Sequence, residues 1–222
     1  MIRSYFWKVR RSLTSLNGEK DSVWGRFAVQ VLPPVILVGL SQWIAYMSTP
    51  ASTDSTFILI VAAITGLLVI ATLTFRERHG WNLWLLLGSS VGSGSTISLL
   101  TRGTNLIPDS KPFLIVLVCL ALGASTRKWF GVKGSELSVI LWLVSWVYLS
   151  GWVALRLLRL DLVLYVTWSI VGVALFTGIS GVWFATMADE MNKRSSVSLA
   201  IDLYVIGINL FLAGMTLFSV SL

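Results

Sequence analysis

Few side chains in this sequence are equipped for chemistry, and the first to consider is a single carboxylate. Asp202 lies in the last long apolar stretch, five residues in from its start, where burial penalises the charged form and a neighbouring cation favours it. So placed, it would respond to protons or cations, or it would form an interfacial ion pair with Lys193 or Arg194. At 3.6 residues per turn its helical face also carries Ile206, Asn209, Ala213 and Thr216. Asn209 lies deeper and is expected to make an interhelical hydrogen bond. A second polar run, Gly88 to Thr96, holds Ser89, Ser90, Ser93 and Ser95 beside Gly88, Gly92 and Gly94. It suits either close helix packing through the Gly88/Gly92 spacing or a polar wall along a water-filled path. Packing is the simpler reading, because Ala174 and Gly178 repeat the spacing.

Catalytic and ligating constellations are sparse. The sequence has one His, His79, and one Cys, Cys119, so no disulfide can form within the chain, and no zinc or haem site needing several His or Cys ligands is expected. There is no HExxH motif, Ser93 has no intramembrane His to activate it, and the last apolar stretch has no Lys for a Schiff base. His79 reads as a solvated loop residue and Cys119 as a small packing residue. No catalytic residue, metal site or cofactor is expected, and the chain is read as a non-enzyme.

Composition dictates what must position Asp202 and the hydroxyl run. Of the 222 residues, 55% are hydrophobic and 12% charged, about half the charge of an ordinary soluble domain. Mean hydropathy is +0.81. A bilayer core needs roughly 20 apolar residues per helix. The gaps between charged clusters give seven candidates: Phe27–Met47, Phe57–Phe75, Trp81–Leu100, Pro112–Thr126, Leu137–Leu155, Leu162–Met187 and Val197–Leu222. The fourth is short: it crosses only where the bilayer thins or where Arg127 and Lys128 snorkel, and a re-entrant segment is its alternative. The expected fold is therefore all-α, a seven-helix transmembrane bundle over residues 27–222. Pro33 and Pro34 should kink its first span, and many of the Trp should sit in interfacial belts.

Charge sets the expected orientation. With seven crossings and the N-terminus cytoplasmic, thirteen of the seventeen Lys and Arg fall on the inner side and the C-terminus lies opposite. Residues 1–26 are expected to be a basic amphipathic cytoplasmic segment rather than a cleaved signal peptide. Ile2, Tyr5, Phe6, Val9 and Leu13 share a helical face, suited to the headgroup layer of a membrane holding anionic lipid. This inner-surface bias accounts for the formal charge of +7 without any nucleic-acid partner.

Two local patterns add a resemblance. The runs Gly172-Val173-Ala174-Leu175-Phe176-Thr177-Gly178 and Leu203-Tyr204-Val205-Ile206-Gly207-Ile208-Asn209-Leu210-Phe211 resemble the last two helices of the transmembrane Bax-inhibitor-motif family. That resemblance implies a seven-helix fold and a pH-sensitive calcium leak gated by an acidic pair on those helices. The matching positions here are Trp183 and Ile206, which do not titrate. Asp202 lies one turn before Ile206, and Asp189 and Glu190 follow Trp183 in the predicted inner loop. A displaced pair requires Asp202 within about 4 to 6 Å of one of them.

Two functions follow as expectations. The first is a packing, assembly or regulatory subunit that meets other integral membrane proteins through small-residue faces. The second is a Bax-inhibitor-like pH-sensitive cation (Ca2+/H+) leak channel centred on Asp202, with Asp189 and Glu190 as the other responsive acids.

Overall fold

A computed structural model of the chain describes residues 23–50, 54–78, 80–103, 111–126, 134–157 and 161–219. Among the described residues all regular structure is α-helical: α1 (Val23–Gln30), α2 (Leu32–Ser48), α3 (Ser55–Thr74), α4 (Trp81–Gly103), α5 (Lys111–Thr126), α6 (Gly134–Leu157), α7 (Leu162–Lys193) and α8 (Ser196–Ser219). The seven apolar stretches map onto these helices. The proposed surface helix at the N-terminus and the loop residue His79 lie outside the described residues.

The first stretch is two helices. Pro33 and Pro34 have no N–H to donate to the carbonyls of residues 29 and 30, and the chain breaks at Val31 with a bend of 44° between α1 and α2. The expected boundary between residues 26 and 27 therefore falls inside α1. Further along, Asp54 caps α3 by accepting from the amides of Thr56 at 2.9 Å and Phe57 at 3.4 Å. Gly80, with φ of 99°, makes the left-handed step between α3 and α4.

The segment Ala188–Ser196 is not a loop. Helix α7 runs on through Lys193, so Asp189 and Glu190 occupy its last turns, and the connection to α8 shortens to Arg194 and Ser195. Charged residues do not stop a helix. They only mark where its surface meets water.

Helix α8 is the centre of the molecule, in contact with α2, α3, α4, α5, α6 and α7. Of its apolar window 78% is buried, against 22% for α3 and for α7. On one side α4 packs between α2 and α3, and on the other α7 packs against α5 and α6. Arg26 bonds Asn192 at 3.0 Å, which brings the start of α1 to the same end as the α7/α8 turn. Ser98 donates to the Thr49 carbonyl at the far end, at 3.3 Å. The described chain thus enters at one end of the bundle and leaves, with α8, at the other.

Hydroxyls join the first half of the bundle. Ser90 pairs with Ser41 at 2.5 Å, Thr96 with Thr65 at 3.0 Å and Ser93 with Tyr204 at 2.6 Å, which links α4 to α2, α3 and α8. Glycines permit the approach. A Cβ on Gly92 would stand 2.7 Å from the Thr65 hydroxyl, and one on Gly94 would collide with the Gln42 carbonyl. Outward, the surface is apolar: Leu67 is 66% exposed and Val163 74%, a covering that suits lipid better than water.

By length and apolarity three helices qualify individually to cross a membrane, Thr56–Thr74, Leu162–Lys193 and Ser196–Leu217, and the bent α1/α2 pair makes a fourth if taken as one span. The described part of α5 contributes a shorter apolar helix, Leu114–Thr126. Helix α4 carries the Gly and Ser run, trading apolarity for internal hydrogen bonds.

Close contact makes the glycines unequal. Gly94→Ala should cost about 1–3 kcal/mol, because the obstacle is backbone that cannot rotate away. Gly178→Ala, where a Cβ meets nothing within 4 Å, should be neutral or slightly stabilising. Thermal melts of the two variants in one detergent compare them directly.

Candidate functional site

Asp202 is fully buried near the base of α8. Its Oδ2 accepts from Arg194 Nη1 at 2.6 Å and its Oδ1 from Arg76 Nη1 at 3.3 Å. Of the two partners considered in sequence, Arg194 takes the pair, and Lys193 is exposed.

Local structure aims both arginines. Arg194 is the C-cap residue of α7, with extended backbone (φ −115°, ψ 159°), and its amide donates to the Glu190 carbonyl at 2.9 Å. The chain leaves the helix there while the guanidinium reaches the first turns of α8. Arg76 lies in the turn after α3, which Asn82 pins by donating to the Arg76 carbonyl at 3.1 Å. Both arginines stand at helix C-termini, where the partial negative charge favours cations.

Arg194 is the hub of the cluster. Its Nε donates to Glu77 Oε1 at 2.9 Å and its Nη2 to Ser198 Oγ at 2.5 Å. Ser198 Oγ in turn donates to Glu77 Oε1 at 2.8 Å. Glu190 Oε2 lies 3.7 Å from Arg194 Nη1. Two guanidinium groups and three carboxylates therefore tie the α3/α4 turn and the end of α7 to α8.

The electrostatic balance is legible at Glu77 and Arg194, both of which lie in the turns. Burial pushes the Glu77 carboxyl up, but the Ser198 hydrogen bond and the charges and hydrogen bonds of the arginines outweigh it and hold Glu77 below its ordinary value of 4.5. For Arg194, burial works against the charged form, yet Asp202 and Glu77 prevail and raise it. Removing one partner from a buried pair strands the other charge, which makes the cluster a lock rather than a source of net stability.

The other candidates fall in several places. Asp189 is exposed, whereas Glu190 is buried. Glu190 Oε2 and Asp202 Oδ2 both face Arg194 Nη1, so those two acids share one cation. Trp183 and Ile206 are both buried, with Trp183 packed edge-on against Phe27 and Phe184. Gly88 faces Leu68 at 4.0 Å and Gly92 faces Thr65. Ala174 is exposed, and Gly178 one turn on opens to empty space. Asn209 is buried and donates to the Val205 carbonyl at 2.8 Å and to Ser145 Oγ at 3.5 Å. Cys119 lies in the core. Among the described residues, no group of three or more His, Cys, Asp or Glu is placed to hold a metal.

Sequence reasoning missed Arg76, Glu77 and Ser198. The signal was the Arg76-Glu77-Arg78 cluster, which the charge bias puts on the same side of the membrane as the base of α8, but nothing in a 126-residue separation specifies the contact. No family model, no curated protein and no solved structure matches the chain.

Arg194→Ala should therefore destabilise by about 3–5 kcal/mol, the cost of stranding a buried partner. Glu77 has a lowered folded pKa, so its contribution is complete above 4.5 and fades as pH falls through the folded value. Glu77→Gln should lower stability in the neutral region, where the charged carboxylate contributes, and flatten the acid limb of a stability-versus-pH profile. Thermal melts across pH check both variants.

Proposed function

We propose that the chain is a seven-span, non-enzymatic membrane protein with a cytoplasmic N-terminus and an external C-terminus, and that it acts as a pH-sensitive cation leak pathway of Bax-inhibitor-like type. The observation that carries this reading is Asp202, fully buried and held by Arg194 and Arg76 at the base of the central helix. Loss of charge on that carboxylate leaves two guanidinium groups facing neutral oxygen, and the hold of the two turns on α8 relaxes. Glu77 and Glu190, the other acids around Arg194, adjust how firmly that arginine is retained. Orientation follows from the charges: the cluster end carries Arg26, Arg76, Arg78, Lys193 and Arg194, as a cytoplasmic face should.

The test is flux through purified protein in liposomes. Wild-type vesicles should pass Ca2+ or H+ with a pH dependence that Asp202→Asn abolishes. An unaltered pH response in the variant would remove the leak reading.

A second reading, a packing or assembly subunit within a larger membrane complex, draws on the outward face of α7. Ala174 is exposed and Gly178 has open space where a neighbouring helix would fit, whereas Gly92 and Gly94 are already occupied within the chain. Extraction in mild detergent should then recover a stoichiometric integral-membrane partner, and Ala174→Leu should release it. Migration as a lone monomer under several gentle conditions counts against this role.

A further inference from the structure

Near the middle of α8, Asn209 is fully buried and its Oδ1 has no hydrogen-bond partner. The amide cannot simply be turned over. Its nitrogen is fixed by the Val205 carbonyl at 2.8 Å, and reversal would set oxygen against oxygen. Across the interface Ser145 is 1% exposed, and its Oγ is the acceptor in the contact from Asn209 Nδ2. That contact leaves the hydroxyl proton of Ser145 to be given elsewhere. An acceptor without a donor and a hydroxyl with a proton to give thus face the same interface, the pair of needs that one water molecule meets.

Below this pair on the same helical face stands Ile206, fully buried, and below Ile206 stands Asp202. At 1.5 Å per residue, Asp202 and Asn209 are about 10 Å apart along the axis, with an aliphatic side chain between them. An aliphatic side chain set between two polar groups keeps water out of the gap, the principle by which hydrophobic gates work.

We propose that Asn209 and Ser145 hold an internal water, and that Ile206 is the dry gap separating it from Asp202. This rests on the leak reading above, and it names the conducted species as the proton. Asp202 and the bound water each gain one proton and lose one per passage, the transfer between them occurring only while a transient water fills the gap at Ile206, so charge is restored after every passage. A calcium ion requires six to eight oxygens, carboxylates prominent among them. Above Asp202 this face offers an amide, hydroxyls and no carboxylate. The charged groups around Asp202 are Arg194 and Arg76 in direct contact, with Glu77 and Glu190 on the far side of Arg194.

The experiment uses the full chain in liposomes, with a proton-sensitive dye in one preparation and a calcium-sensitive dye in a parallel one. Ile206→Ser should raise proton flux about tenfold, the effect of lowering a barrier by 1.36 kcal/mol. Asn209→Leu, close in shape to the native side chain, should lower it by a similar factor. Ser145→Ala supplies the same direction of change if Asn209→Leu does not fold. Proton flux indifferent to Ile206→Ser and to the Asn209 and Ser145 variants overturns the inference. Calcium flux through wild-type protein at a rate comparable to protons also overturns it, while leaving the leak reading in place. Flux of neither ion through wild-type protein removes the leak reading itself.

Discussion

A charge taken out of water must be matched where it stands, and that requirement organises this molecule. Asp202 enters the bundle on the helix that every other long helix touches, so no solvent can reach it. Two arginines supply the match, and each comes from a turn, because only at a helix end does the backbone leave room for a guanidinium to fold inward. Positions that look incidental in sequence, the C-cap of α7 and the turn after α3, become fixed points. Helix α8 cannot slide or rotate without stranding one of these charges.

Elsewhere the interior is joined by weaker bonds of the same logic. Serine and threonine hydroxyls either return to carbonyls of their own helix or cross to a neighbour, as Ser90 does to Ser41 and Thr96 to Thr65. Such crossings need short helix separations, and Gly92 and Gly94 provide them. Along the face that links Asp202 to Asn209, Val205 and Ile206 break the polar sequence with buried side chains that exclude water.

The outer surface follows a different rule. Large aliphatic side chains on α2, α3, α6 and α7 are exposed, and no internal neighbour covers them. The Ala174 and Gly178 face of α7 is smooth and unfilled, in contrast to the occupied glycines of α4. Interior and exterior thus use the same small residues to opposite ends.

From the sequence alone, the apolar stretches, the proline break near Val31 and the shared charged end were all legible, because each depends on residues close together in the chain or on a simple count of charges. The partnership of Asp202 with Arg194 was within reach too, since eight residues spanning one tight turn bring them together. What only the tertiary structure decided were the contacts between distant segments: Arg76 and Glu77 at the base of α8, Tyr204 against Ser93, Ser145 beside Asn209. The same holds for the last turns of α7, where Asp189 and Glu190 looked like loop because charge marks the water boundary and does not end a helix. Hydrophobic periodicity tells a helix which side to bury, but a nearly uniform apolar helix such as α8 has no such side, and its neighbours are chosen by packing alone.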